Sequence, residues 1–153
     1  MTHEATARAG EMIWMLNTWM RHVTTAADTG GRLAVLEQRF TPAGDPPRHV
    51  HANEDEAFYV LDGRLGATIG DDAMVSAGPG ELVFLPRGVP HGLHAQTDEV
   101  HGLLLLTPAG FERFFAAMGR PAPGSELPEP TTPDVDVVAA AAARYGCTVL
   151  PPS

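Results

Sequence analysis

Short apolar runs alternate with turn residues through the middle of the chain. Between residues 32 and 107, apolar and β-branched positions recur at strand spacing and are interrupted by turns such as Asp62-Gly63 and Gly70-Asp71-Asp72. The pattern predicts strands at 32–40, 56–61, 64–69, 73–77, 81–85, 91–97 and 100–107. Since no helical pattern separates them, we expect an all-β antiparallel sandwich or barrel with its core at 32–107.

The segment at 11–23 is compatible with two structures. Its apolar residues fit one stripe of a helix, and a subset fits one face of a strand or strand pair. We favour strand because the domain that follows is β, so residues 1–31 form an N-terminal strand segment. Trp14, Trp19 and several methionines in it predict either an arm that contacts a second copy in a homodimer or a cap over its own barrel.

Two helices are predicted in the C-terminal extension at 108–153. In the first, Thr107 is the expected N-cap, Pro108 the first helical residue and Gly119 the stop. Four apolar residues at helical spacing form a stripe that we expect to pack on the outside of the sheet: Phe111, Phe114, Phe115 and Met118.

The second helix is expected to begin at Thr132-Pro133 in the same way and to end at Gly146. Between the two helices, residues 120–131 contain four prolines and predict an irregular strap or linker.

Composition narrows the classes of function. The 153 residues are 44% hydrophobic, which suits one folded domain, and the formal net charge of −9 argues against a nucleic acid partner. All ten basic residues are arginine, which excludes Schiff-base and P-loop chemistry because both need lysine. The single cysteine, Cys147, excludes an internal disulfide and a Cys-rich zinc or iron–sulfur site. With no export signal and no apolar run long enough for a bilayer, we expect a soluble, cytoplasmic protein without membrane contact.

Three of the seven histidines have a spacing suited to metal binding. His49 and His51 are two residues apart, so in an extended chain both imidazoles face the same side. Glu56 follows near the start of the next predicted strand, and His91 comes directly after a Pro- and Gly-rich turn at 86–90. Three imidazoles and one carboxylate suit one divalent transition metal, namely Mn, Fe, Co, Ni, Cu(II) or Zn.

These residues also carry a resemblance. The stretch from Gly44 through His49, His51 and Glu56 to Gly63 resembles the first cupin motif, and Gly80 through Pro86-Arg87-Gly88 to His91 resembles the second. The resemblance implies a double-stranded β-helix, a jelly-roll barrel of six to eight strands, with His49, His51, Glu56 and His91 as metal ligands. Flanking stretches such as 55–61 and 108–112 are similar to the bacterial quercetin 2,3-dioxygenase-like single-domain cupins.

Two positions depart from the family pattern. Only four residues separate Gly44 from His49, one fewer than usual in cupins, and Ala95 stands where the family has an asparagine. Neither change removes a ligand, but Ala95 makes that end of the predicted pocket more apolar.

The other polar residues near the motifs have plainer interpretations. Glu54 and Asp55 are interpreted as solvated loop charges, and strand alternation points His94 outward. We interpret His3, His22 and His101 as structural or exposed because they have no spacing partner. Arg48 and Arg87 flank the ligands and either hold an anionic substrate or pair with surface carboxylates.

Strand parity predicts the pocket wall. If Glu56 and His91 face inward, so do Phe58, Leu93 and Ala95, with Phe84 or Leu85 and alternate residues of 103–106 completing the lining. The alternative for each of these residues is that it packs in the hydrophobic core and does not line a pocket. Any cavity left beside the metal suits an aromatic or otherwise apolar small molecule that has a chelating oxygen.

Three functions follow as hypotheses. The resemblance implies a metal-dependent dioxygenase for a flavonol-like aromatic or enolic substrate, with Glu56 as the catalytic residue that accepts the substrate proton. The same ligand set suits a non-redox isomerase, cyclase or dehydratase of secondary metabolism. A non-catalytic ligand-binding cupin is the third, because the fold hosts many functions.

Overall fold

Two antiparallel sheets form the body of the protein. The structure is a computed structural model that describes residues 10–71 and 73–151. The strands are β1 (Met12–Met15), β2 (Thr18–Thr24), β3 (Ala34–Phe40), β4 (His49–His51), β5 (Asp55–Asp62), β6 (Leu65–Ile69), β7 (Val75–Ala77), β8 (Leu82–Leu85), β9 (His91–Ala95), β10 (Val100–Thr107), β11 (Arg120–Pro121) and β12 (Cys147–Val149). The helices are α1 (Ala26–Thr29), α2 (Glu112–Met118) and α3 (Val135–Ala143), with a 3₁₀ turn at Pro42–Gly44.

The sheet order brings distant stretches of the chain together. One sheet has the order β11-β1-β2-β3-β10-β5-β8, and the other has the order β12-β4-β9-β6-β7. Along β10, alternate residues from Val100 to Leu106 are buried, as expected for a strand with one face on the core. The predicted all-β jelly roll with C-terminal helices is confirmed, and the seven strands predicted between 32 and 107 are all present within a few residues of their expected bounds.

The N-terminal segment is a strand pair, as favoured above. β1 and β2 form a hairpin through Leu16, whose φ is 53°, and Asn17. The indole N–H groups of Trp14 and Trp19 donate to the carbonyls of Glu126 (2.8 Å) and Gly124 (2.9 Å) in the strap. The strap also adds β11 to the edge of β1, so this chain covers its own hairpin. The homodimer stays a prediction.

Both C-terminal helices exist, but both predicted N-caps are wrong. Thr107 still pairs with Asp55 in the β10–β5 ladder, so its backbone belongs to the sheet and α2 begins only at Glu112. α3 is capped by Asp134 instead of Thr132, since the Asp134 carboxylate accepts hydrogen bonds from the backbone N–H groups of Asp136 and Val137.

Three short strands are absent from the predicted set, namely β4, β11 and β12, and the last of these bears directly on the site. After α3, Gly146 adopts a φ of 76° and turns the chain into β12. β12 pairs with β4, so that Cys147 lies opposite His51 and Val149 opposite His49. This short strand therefore supports the strand that carries two candidate ligands. No helix of residues 10–71 and 73–151 is long and apolar enough to cross a membrane.

Candidate metal centre

Three strands from the two sheets bring the predicted ligands together: β4 and β9 are neighbours in one sheet, and β5 belongs to the other. His49 and His51 lie on β4, Glu56 on β5 and His91 on β9. The i and i+2 spacing on β4 places both imidazoles on one face, and His91 is the register partner of His49. Each of the four offers a ligand atom within 4.8 Å of the others, so the sequence prediction of one cluster is matched by the geometry.

The imidazoles surround the Glu56 carboxylate. His51 Nε2 lies 3.1 Å from one Glu56 oxygen, and His91 Nε2 lies 3.1 Å from the other. The His49 ring is packed against both, with centroid distances of 4.9 Å to His51 and 4.4 Å to His91. His51, Glu56 and His91 are almost completely buried. Buried charged groups of this kind need a partner that compensates their lost hydration.

Unsatisfied ring nitrogens support a metal in this position. Both nitrogens of His51 and both of His91 are buried and lack a hydrogen bond of good geometry, although the Nε2 atoms are close to the carboxylate. His49 Nδ1 lies 2.8 Å from the Pro47 carbonyl; because a carbonyl only accepts, Nδ1 is the donor and Nε2 keeps its lone pair. Convergent lone pairs without partners are what a divalent cation satisfies. The donor set thus fits the predicted Mn, Fe, Co, Ni, Cu(II) or Zn.

Electrostatics keep Glu56 and His49 in the forms that bind cations, whereas His51 is shifted toward its protonated form and would have to release that proton to a metal. Burial opposes ionisation of Glu56, but the adjacent His51 and His91 imidazoles hold the pKa of that carboxyl well below its usual range. Burial lowers the pKa of His49 to about 4 against the opposing charge of Glu56. Burial also acts to lower the pKa of His51, but contact with Glu56 outweighs it and raises the pKa. Glu56 is therefore ionised and His49 neutral at neutral pH.

An apolar cavity of about 360 Å³ opens beside the cluster. His49 and Glu56 form part of its wall, and most of the remaining wall is aliphatic or aromatic. Phe111 packs edge-on against the His51 ring at 4.3 Å. The stripe of α2 does not cover an outer sheet face as predicted, because its phenylalanines turn to the cavity: Phe111, Phe114 and Phe115.

Some of the residues predicted to line the pocket do line the cavity, and others do not. Leu93 lines the cavity, as does Leu104 of β10. Phe58 is fully buried and packs edge-on against Phe40 at 6.2 Å, and neither Phe58 nor Ala95 is among the cavity-lining residues of the described chain. Strand alternation correctly predicts that the Phe58 side chain points inward. It packs in the hydrophobic core, however, and does not reach the cavity. A role of Phe58 and Ala95 in substrate binding stays a prediction.

The flanking arginines and the remaining histidines have structural partners. Arg87 pairs with Asp55 at 3.2 Å, and Arg48 donates to the carbonyl of Gly70. His101 lies 2.6 Å from a Glu37 oxygen. His94 lies 3.6 Å from Asp45 on the surface, and His22 Nε2 lies 3.4 Å from the carbonyl of Glu112, while His3 falls outside the described residues.

Glu54 was predicted to be exposed to solvent, but the structure buries it. It is only 3% exposed, and its Oε2 has no hydrogen-bond partner among the described residues. Burial therefore raises the pKa of its carboxyl, although the nearby His51 opposes this. The interpretation as a solvated loop charge was wrong because α2 and the turn at Gly146 close over this loop, and Glu54 lines a small polar pocket between them.

Replacing Glu54 with glutamine is expected to raise the melting temperature of the metal-free protein at neutral pH. A raised pKa means that folding penalises the charged carboxylate; the penalty is present above the folded pKa and disappears as the pH falls below the ordinary value of 4.5. The gain should therefore shrink on acidification, measured by thermal unfolding across a pH series.

The neighbouring acid provides the matched control. Contact with Arg87 lowers the pKa of Asp55, so its stabilising effect is present at neutral pH and is lost as the pH falls through the folded value. Asp55→Asn should lower the melting temperature at neutral pH. A loss of stability with Glu54→Gln as well would show that the buried carboxylate has a partner.

Two cavity residues had no signal in the sequence. Burial raises the pKa of the Cys147 thiol to about 12, with Glu56 and Glu54 adding to the shift, so this thiol stays protonated. Gln38 lies on the inner face of β3 and is 6% exposed. Only the alternation of β3 could have placed Gln38 inward, since an isolated glutamine carries no motif.

Fold and site together resemble a known class of protein. A jelly roll of two antiparallel sheets with three histidines and one glutamate converging inside it is the architecture expected of a cupin. Residues 36–107 match the family model described as a cupin domain. The match covers just under half of the chain and supports the cupin part of the predicted resemblance, whereas the quercetin-dioxygenase-like subgroup stays a prediction.

Similar proteins agree with this class. An uncharacterised protein of Streptomyces coelicolor is 29% identical over 91 residues, which cover 54% of this chain and 85% of that protein. The polyketide cyclase RemF from Streptomyces resistomycificus is 27% identical with a TM-score of 0.53, over 71% of this chain and 80% of RemF. The EutQ protein of Clostridium difficile is 27% identical with a TM-score of 0.50, over 60% of this chain and 68% of EutQ.

Proposed function

We propose that this protein is a metal-dependent enzyme for an aromatic or enolic small molecule that chelates the metal through an oxygen. The observation that carries the proposal is the position of the ligand cluster: His49 and Glu56 form part of the wall of an apolar cavity of about 360 Å³. A cavity of this size and character takes a small, largely apolar ligand.

Each part of the site has a role in this proposal. His49, His51, Glu56 and His91 would hold the cation, which as a Lewis acid would lower the pKa of a hydroxyl on the bound substrate. Glu56 is the only anionic side chain of the cluster, and it contributes to the cavity wall. It is therefore the group placed to accept the substrate proton. Phe111, Phe114 and Phe115 would exclude water and pack against the rings of the substrate.

The first reaction we propose is oxidative cleavage of the substrate by dioxygen. The resemblance to the quercetin-dioxygenase-like cupins supports it, and a deprotonated enol or phenol is an electron-rich substrate suited to attack by oxygen. The apolar wall fits such a substrate better than a sugar or an amino acid, whose many polar groups would lack partners there.

A non-redox cyclisation or dehydration is the second candidate. The similarity to RemF, a polyketide cyclase, favours it. The same deprotonation by Glu56 would generate the enolate needed for carbon–carbon bond formation, with no consumption of oxygen.

Oxygen consumption separates these candidates. The metal-loaded protein is incubated with a panel of flavonols, enediols and linear polyketide analogues, in air and under nitrogen, with chelator-treated protein as control. We expect loss of substrate together with oxygen uptake, in air only. Turnover under nitrogen would favour the cyclase, and binding without turnover in either gas would contradict both in favour of a ligand-binding cupin.

A further inference from the structure

We propose that Gln38 binds a second polar group of the substrate, so that the substrate is an aromatic or enolic molecule with a distal hydroxyl or carbonyl in addition to its chelating oxygen. This inference rests on the proposed function, because it takes the same cavity as the substrate site. It adds a specificity determinant at a position that is separate from the metal ligands.

The Gln38 amide is buried without a strong partner. The side chain is 6% exposed and lines the cavity. Among the described residues, its amide nitrogen has one hydrogen bond, to Met20 Sδ at 3.8 Å, and thioether sulfur is a weak acceptor. Its amide oxygen has no hydrogen-bond partner among residues 10–71 and 73–151. Burying an amide in this way is unfavourable unless a ligand or water completes its hydrogen bonds.

The other polar side chains of the wall differ from Gln38. The Asn17 amide donates to the carbonyls of Ala43 and Thr131 and accepts from the Thr131 N–H, so its bonds are occupied. Asp45 accepts from the Ala95 N–H at 2.9 Å. The Thr18 hydroxyl and the Cys147 thiol also line the cavity, and neither has a side-chain hydrogen bond in the described part of the chain.

The strand register separates Gln38 from the ligand cluster. Gln38 lies opposite Gly102 on β10, whereas Glu56 lies opposite Leu106 on the same strand. Four residues along a strand correspond to about 13 Å, and both side chains project inward across the cavity. A ligand that contacts both ends must therefore be elongated, with polar groups at its two ends and an apolar body between them.

An amide in this setting discriminates between ligands. A ligand that is apolar at its far end would leave the amide unpaired, whereas one with a hydroxyl there would satisfy it. Loss of such a buried hydrogen bond corresponds to about a 5- to 100-fold difference in affinity.

The first test concerns stability and needs no ligand. We compare Gln38→Met with the wild type and with Gln96→Met, the only other glutamine, whose amide oxygen accepts a hydrogen bond from Ser76. Methionine has the same unbranched shape as glutamine and is only slightly larger, and the adjacent cavity has room for it, so we expect the melting temperature of Gln38→Met to stay equal or to rise by about 2–4 °C. A fall of that size would overturn the inference, because it would show that the amide is already well bonded within the protein.

The second test concerns binding to the zinc-loaded protein, in which no redox turnover occurs. The probes are 3-hydroxyflavone and two analogues with one added distal hydroxyl, 3,4′-dihydroxyflavone and 3,7-dihydroxyflavone. We expect the wild type and Gln96→Met to bind at least one dihydroxyflavone about 5- to 100-fold more tightly than 3-hydroxyflavone. Gln38→Met should lose this preference and keep its affinity for 3-hydroxyflavone.

The outcomes separate the two proposals. If the wild type binds all three flavonols equally, or if Gln38→Met keeps the preference, the role of Gln38 is overturned and the proposed function stands. If none of the three binds to the zinc-loaded protein, the substrate class of the proposed function and the role of Gln38 are both overturned.

Discussion

Replacing His91 with alanine is expected to reduce bound metal from about one ion per chain to almost none. His91 is 1% exposed, and its Nε2 lies 3.1 Å from a Glu56 oxygen. Partners outside the first coordination shell typically contribute 10- to 100-fold to affinity, and a lost ligand should cost more than this. The measurement is elemental analysis of protein purified without chelators, together with titration of zinc into the metal-free variant.

His94→Ala is the matched control, because His94 lies three residues further along the same strand, pairs with Asp45 and does not belong to the ligand cluster. It should keep wild-type metal content. A thermal shift gives a second readout, since a ligand at 100 times its Kd stabilises the folded protein by about 2.7 kcal/mol. Zinc should therefore raise the melting temperature of the wild type and of His94→Ala but not of His91→Ala. Full metal content in His91→Ala would contradict the assignment.

Replacing Trp19 with alanine is expected to cost about 3–5 kcal/mol of unfolding free energy. The indole is 1% exposed, and its N–H donates to the Gly124 carbonyl of the strap. The substitution removes the largest fully buried side chain and also detaches part of the strap from β2. Because a domain of this size has about 5–15 kcal/mol of stability in total, the variant should unfold at a much lower denaturant concentration.

Trp14→Ala is the control, because Trp14 lies directly opposite Trp19 in the hairpin and donates to the strap in the same way, but it is only partly buried. We expect a smaller loss for it, about 1–2 kcal/mol. Equal losses in the two variants would show that contact with the strap dominates over burial of the indole. Sedimentation of both variants also tests the homodimer that the tryptophan-rich segment predicts.

The ligand set could be predicted from the sequence because its determinants are local. Two residues on one strand face the same side by the geometry of the chain, and a Gly- and Pro-rich turn leads directly into His91. The strands that hold Glu56 and His91 are recognisable from their own alternation. Sequence and structure therefore agree where side chains are positioned by the strand on which they lie.

The rest of the site depends on how the C-terminal extension returns to the barrel. The spacing of Phe111, Phe114 and Phe115 predicts that the three side chains share one face of a helix, but it does not predict what that face packs against. In the structure the face lines the cavity instead of covering the outside of the sheet. Glu54 is buried by the same C-terminal residues, so its burial could not be predicted from its position in a loop. β12 is only three residues long and is stabilised by pairing with β4, a long-range contact that no local pattern records.

Helix starts were missed for a related reason. Thr107-Pro108 has the residue types of a helix N-terminus, but the backbone of Thr107 is paired with Asp55 in the sheet and cannot also cap the helix. Tertiary contacts override local propensity at such boundaries.

Anomalous diffraction from crystals of metal-loaded protein shows whether His49, His51, Glu56 and His91 together bind one cation. We expect one strong anomalous peak per chain inside the barrel, with a ring nitrogen of His49, His51 and His91 and a carboxylate oxygen of Glu56 each about 2.0–2.2 Å away. A peak elsewhere, or a cluster in which the imidazoles hydrogen-bond to Glu56 and no peak lies between them at saturating metal, would contradict this expectation.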